Sequence, residues 1–189
     1  MADFPTPSLQ MAMNELSNHD HSRFLTRTNR RVGRTNYLGP EAANEGINTA
    51  VMREAVVIQF TWPGSPTIYY GDEAGVCGWT DPDNRRTYPW GHEDTEMIAF
   101  HQKMIKIHKE NRELITGSLK YIANGYNVLG YGRFSRDEVC VVLLNNNDNL
   151  PIVVVFPLPV GLLKTTGNFD SGCAQRVLKL EIIPGKYNA

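Results

Sequence analysis

Met13-Asn14-Glu15-Leu16-Ser17-Asn18-His19-Asp20-His21-Ser22-Arg23-Phe24 sets a dense group of polar and ionisable side chains directly after a short apolar run. Met11, Met13 and Leu16 suit a buried strand, and Asn18, His19, Asp20, His21 and Arg23 then follow within six positions. In a parallel α/β architecture ligands meet the chain at the carboxyl ends of strands, so the stretch reads as a strand that ends at a site. Upstream, Pro5 and Pro7 favour an extended start, which makes Leu9–Leu16 the expected strand.

Downstream, the polar run from Thr26 to Gly39, closed by Pro40, is loop chemistry. Asn44 is the expected N-cap of a helix reaching about Phe60, with Ile47, Val51, Ala55 and Ile58 on its inner face, until Pro63 and Gly64 stop it. Ile68-Tyr69-Tyr70 then forms a short β-favouring segment ending at Asp72-Glu73. Strand, helix, strand in this order predicts a right-handed βαβ crossover with two parallel strands. Asp94 or Thr95 caps a further helix, expected to end near Leu114, whose inward stripe is Met97, Phe100, His101, Met104 and His108 and whose lysines 103, 106 and 109 face water. After Gly117 the texture changes. Segments at 119–123, 128–134, 139–145 and 152–156, with a last one around 177–182, alternate with turn residues and predict an antiparallel β-domain.

Leu16-Ser17-Asn18-His19-Asp20 followed by Arg23-Phe24-Leu25 resembles the last catalytic motif of the α-amylase superfamily of glycoside hydrolases (family 13), most of all its neopullulanase and cyclomaltodextrinase branch. Trp62-Pro63-Gly64-Ser65-Pro66-Thr67-Ile68-Tyr69-Tyr70-Gly71-Asp72-Glu73 is similar to the family's last barrel strand with its entry turn. Asp81-Pro82-Asp83-Asn84-Arg85-Arg86-Thr87-Tyr88-Pro89-Trp90 is similar to the sugar-contacting loop after it. Three motifs in order are more specific than any one.

The resemblance implies an α/β plus all-β chain: the last two β/α units of a (β/α)8 TIM barrel over residues 1–115, then a carboxyl-terminal antiparallel β-sandwich over 116–189. It also implies an α-glucan or maltooligosaccharide as substrate. Asp20 would be the carboxylate that stabilises the transition state, with substrate contacts from Asn18, His19, Asp81 and Arg85. The family's nucleophile and general acid belong to earlier strands, for which the residues before Leu16 leave no room. The chain is therefore expected to be a carboxyl-terminal part, inactive alone, that associates with the missing part of its barrel or with itself. A non-enzymatic carbohydrate-binding or interaction module, and a piece of a nicked or split enzyme, are the alternatives.

Bulk properties narrow the partners. Among 189 residues, 41% are hydrophobic and 21% charged, and the net charge of −1 provides no basic excess for nucleic acid or an anionic membrane. Arg27, Arg30, Arg31 and Arg34 lie among Thr, Asn and Gly and read as a solvated loop with an occasional ion pair. Cys77, Cys140 and Cys173 are too scattered for a disulfide framework and read as free thiols. The start carries no leader pattern and no apolar run reaches membrane length, so a cytoplasmic location is expected.

His19 and His21 form an H-x-H pair but lack a third ligand, and the Asp81–Asn84 segment lacks the Gly and closing Glu of a calcium loop, so neither a metal nor a cofactor is expected. Asp81 and Arg85 have two readings, sugar contact or a loop staple. Tyr70, Trp79, Tyr88 and Trp90 are candidates to stack on sugar faces. His101 and His108, on a helix stripe, are expected to be packing residues.

Overall fold

A computed structural model describes residues 5–136 and 138–146 in full and the backbone of 152–159 and 183–184. It separates into two units, Met1–His108 and Lys109–Ala189.

In the first unit, α1 (Thr6–Gln10) precedes β1 (Met13–Glu15), and two one-turn helices follow, α2 (Phe24–Arg27) and α3 (Thr35–Leu38). A 3-10 turn (Glu41–Asn44) leads to α4 (Thr49–Thr61), then β2 (Ser65–Thr67), a second 3-10 turn (Asp83–Arg85) and α5 (Thr95–Glu110). β1 and β2 pair in parallel, Met13 opposite Ser65 and Glu15 opposite Thr67. The strand–helix–strand order expected from the sequence is therefore present.

Its parts are tied by exchanged amides. Gln59 of α4 donates to Asn14 O (3.2 Å) and Thr67 O (2.6 Å), while Asn14 Nδ2 donates to Trp62 O (3.1 Å). The turn into β2 passes so close to β1 that a Cβ on Gly64 would lie 2.6 Å from Ala12 O, and Gly64 also has φ 135°, so only glycine fits there.

Several boundaries differ from the expected ones. Leu9 and Gln10 are helical, because a proline preset at the first turn starts a helix as readily as it extends a chain, and the strand shrinks to Met13–Glu15. Met11 and Met13, expected to be buried, are 75% and 63% exposed. The sheet here has two strands, and β1 has no neighbour on its other edge among the described residues.

Pairing in the second strand falls on Ser65–Thr67 and not on Ile68–Tyr70, because Ser65 N already donates to Ala12 O (2.7 Å) at the turn. The end of α2 runs into the Thr26–Gly39 loop, and α3 lies within it. Asn44 sits in the 3-10 turn. The cap of α4 is Asn48, whose side chain accepts from Ala50 N (3.0 Å) and Val51 N (3.1 Å), since Gly46 at φ 64° breaks the chain between the two asparagines. Helix α4 also buries more than one stripe: Met52, Val56, Val57 and Phe60 lie inside with Ala55, while Val51 and Ile58 are only half-buried. A run this apolar offers no single inner face to read from its period.

Helix α5 follows its pattern. Asp94 Oδ1 accepts from Met97 N (2.9 Å), and Met97, Phe100, His101 and Met104 are buried. His101 Nδ1 bonds Met97 O and His108 Nδ1 bonds Phe60 O, and both rings meet Phe60 edge-on at 6.4 Å, so these histidines are packed residues. Lys106 and Lys109 are exposed, whereas Lys103 is half-buried. The helical stretch expected to run to Leu114 is interrupted at Asn111.

In the second unit, α6 (Arg112–Thr116) precedes an antiparallel sheet of β3 (Ser118–Asn124), β4 (Val128–Phe134), β5 (Glu138–Asn145), β6 (Ile152–Pro159) and β7 (Ile183–Pro184), paired in sequence order. The four expected β-segments up to residue 156 are all strands. The segment expected around 177–182 and Cys173 fall outside the described residues, which hold one antiparallel sheet. Leu114, Tyr131, Val141 and Val142 form its core. Cys77 and Cys140 are buried free thiols, and burial pushes Cys140 up to about 12 and raises Cys77, so neither is a ready nucleophile. Among the described residues no helix is long and apolar enough to cross a membrane.

The shifted cap has a direct test. Asn48→Ala should lower unfolding stability by about 1 kcal/mol in urea, while Asn44→Ala should change it by less than about 0.5 kcal/mol.

Candidate functional site

Beyond β1 the chain leaves the sheet in a tight loop from Ser17 to Ser22. Asn18 shapes it: its Oδ1 accepts from Asp20 N (2.9 Å) and His21 N (3.1 Å), and its Nδ2 donates to Glu15 Oε1 (2.7 Å). This is an Asx turn, which short polar side chains form readily, and it commits both polar atoms of Asn18 to the loop. His19 and Asp20 stand at its tip with their side chains 63% and 68% exposed and 3.5 Å apart. They lie beyond the strand, which ends at Glu15.

What fixes the loop is Arg23, which lies in the motif read from the sequence but received no role there. Its side chain is fully buried. Nη1 donates to Tyr70 O (2.5 Å) and Asp72 Oδ1 (3.1 Å), Nε donates to Asn84 O (2.7 Å), and the guanidinium lies 4.1 Å from the Tyr69 ring centroid and 4.7 Å from that of Tyr70. Ser17 accepts from Phe24 N (2.9 Å) and bonds Asp72. Burial raises the Asp72 carboxyl despite Ser17 and Arg23, which pull the other way. The signals that could have found this pair were an arginine closing the first motif and an aspartate ending the apolar run of the second.

The third segment is stitched to the first. Asn84, buried, donates from Nδ2 to both Asn18 O (3.2 Å) and His21 O (2.7 Å). Arg23 N donates to Gly78 O, and Gly78 N donates to Thr26 Oγ1. Asp81 and Arg85 pair with each other, Nε to Oδ1 at 2.5 Å, with both side chains about half exposed. The staple is thus formed, and both groups remain open to solvent. Asp83 takes Trp79 N and Arg86, and Arg86 reaches on to Pro40 O and Asn44.

Among the aromatics, Trp79 is core, its indole donating to Gly39 O. Tyr70 is partly exposed and bonds Arg86 O, while Trp90 is 79% exposed and lies against Tyr88 with ring centroids 4.5 Å apart. In the basic run, Arg31 pairs with Glu45 at 3.0 Å on the surface and Arg27 donates to Leu16 O, which fits a solvated loop.

The family model described as the catalytic domain of α-amylase matches residues 6–116. An amylopullulanase from Thermoanaerobacter thermohydrosulfuricus is 36% identical over 164 residues, covering 77% of this chain and 10% of that protein. A cyclomaltodextrinase from Thermoanaerobacter pseudethanolicus is 34% identical over 146 residues, covering 76% and 22%. Among solved structures, a debranching enzyme from Nostoc punctiforme superposes with a TM-score of 0.65 at 26% identity, over 80% of this chain and 28% of that one. The residues matched by the family model include the parallel strand–helix–strand unit and the loop bearing His19 and Asp20. The chain belongs to the α-amylase family. It spans about a tenth to a quarter of the length of the curated relatives named here.

Replacing Arg23 by Met should be severe, since it leaves the Asp72 carboxylate buried without its cation, a change that costs roughly 3–5 kcal/mol. The sign with pH follows from the raised Asp72 carboxyl. Stability is fully present below the ordinary aspartate range and is lost as pH rises through the raised value. Urea unfolding of Arg23→Met should therefore show a larger deficit at pH 8 than at pH 5.

Proposed function

We propose that this chain is the carboxyl-terminal part of a retaining, α-glucan-active glycosidase and carries the carboxylate that stabilises the transition state. One observation carries the reading: Asp20 and His19 are held out to solvent on a loop whose foundation is buried, within residues 6–116 that match the catalytic domain. A loop that only closed a turn would not need a buried cation beneath it.

In this reading the Asp20 carboxylate accepts hydrogen bonds from sugar hydroxyls. Those bonds shorten as the ring flattens towards its oxocarbenium-like state, so they lower the barrier more than they tighten ground-state binding. His19 contacts a neighbouring hydroxyl. Asp81 and Arg85, half exposed as a pair, exchange part of their mutual bond for charge-assisted bonds to a sugar further along the chain. Asn18 acts through the loop it shapes.

Bond cleavage needs a nucleophile and a general acid, which the rest of the barrel supplies, and the open edge of β1 with Met11 and Met13 beside it is where that part packs. The relatives support the substrate class through their names, amylopullulanase and cyclomaltodextrinase.

The purified chain should release no reducing sugar from maltooligosaccharides. Combined with the remainder of the barrel it should do so, and Asp20→Asn should then lower kcat by about 10²–10³-fold with little change in KM. Cleavage by the chain alone, or a kcat indifferent to Asp20→Asn, would remove the proposal.

A further inference from the structure

Asn84 does something that neither the turn it sits in nor the core around it requires. It lies in the 3-10 turn Asp83–Arg85 and is fully buried, yet its side chain is directed at another loop, more than sixty residues earlier in the chain. One nitrogen, Nδ2, donates to Asn18 O (3.2 Å) and to His21 O (2.7 Å), the two carbonyls that bracket His19 and Asp20. Its Oδ1 is buried without a partner, so the amide serves here as a twofold donor only. The backbone of the same residue is held from below, Asn84 O accepting from Arg23 Nε at 2.7 Å. Two loops are thereby joined through one residue: the one bearing His19 and Asp20, and the one bearing Asp81 and Arg85.

We infer that Asn84 is a positioning residue that sets the Asp20 loop at a fixed place relative to Asp81 and Arg85, so that the groups on both loops address one sugar chain as a single rigid surface. The inference rests on the reading of Asp20 as a sugar-contacting carboxylate. Its physical basis is separate from that reading. Asn18 curls the loop from within, through Asp20 N and His21 N, but an Asx turn fixes only the local shape. Orientation of the whole turn needs an anchor outside it, and the two bonds donated by the buried Asn84 side chain provide one. Removing the donors leaves two carbonyls facing an empty or repelling partner, and the Asx turn, then held only from within, opens more often and exposes the Asp20 and His21 amides.

The experiment uses the 189-residue chain, isotope-labelled for NMR. Asn84→Asp keeps the shape and loses the donors, and Asn84→Ser, retaining one hydroxyl donor, is the conservative partner should the buried carboxylate prevent folding. Amide exchange is measured without sugar, then maltotetraose is titrated in. The expected result is that exchange at the Asp20 and His21 amides rises about tenfold or more in Asn84→Asp and less in Asn84→Ser, with the Met97 and Met104 amides as protected as in the wild type. Maltotetraose affinity should fall about tenfold with the same ordering of variants. Unchanged exchange in the loop overturns the inference, and so does an increase spread equally to α5, which would mark Asn84 as a general stability residue. Localised exchange together with no maltotetraose binding by the wild-type chain upholds the hold of Asn84 on the loop and removes the carbohydrate reading instead.

Discussion

The first unit depends on one buried cation. Arg23 places a guanidinium where water does not reach, and an ion in that position costs several kcal/mol unless its donors and its charge are met. The charge and most of the donors are met by groups from two stretches of chain, the Asp72 carboxylate, the Tyr70 carbonyl and the faces of Tyr69 and Tyr70 after β2, and the Asn84 carbonyl in the 3-10 turn, while Nη2 is buried without a partner. None of these can move far without exposing the charge to an apolar surround. The loop after β1, the continuation of β2 and the Gly78–Arg86 segment are therefore set against one another by a single electrostatic demand.

That arrangement separates rigidity from function. The groups facing solvent, His19, Asp20, Asp81 and Arg85, make few bonds, while those beneath them, Arg23, Asp72, Ser17 and Asn84, are buried and bonded. A carboxylate that stabilises a transition state must already be in place when charge develops, since reorienting it during the reaction would cost part of what it contributes. In the role proposed for Asp20, hydroxyls and amides buried below the loop would supply that preorganisation from positions outside a ligand's reach. The same logic appears on the other side of the strands, where Gln59 and Asn14 exchange amide bonds and lock α4 to both β1 and β2.

In the second unit the demand is different. The β4 and β5 strands meet on apolar side chains, Tyr131, Val139, Val141 and Val142, and the buried Arg133 reaches Gly117 O (3.0 Å) at the start of the sheet. Burial lowers Arg133 to about 10, still far above neutral, so it remains a cation with its carbonyl partner.

The sequence by itself determined the strand–helix–strand order of the first unit, the cap of α5 at Asp94 with its buried stripe, the four strands from Ser118 to Pro159, and the stretch of chain in which His19, Asp20, Asp81 and Arg85 occur. These are local properties: a period of side chains, a capping residue, a motif within a few positions. Tertiary structure alone decided the rest. Asn48 and not Asn44 caps α4 because Gly46 turns the chain between them; β2 pairs at Ser65 because the Gly64 turn brings it to Ala12 first; Met11 is exposed because it falls in the turn after α1, and Met13 because a strand buries a side chain only when something packs against it. Arg23, Asp72 and Asn84 could not be recognised as one cluster from their spacing, being dozens of residues apart, because burial and the need to satisfy a buried charge are properties of the folded assembly and of no single segment.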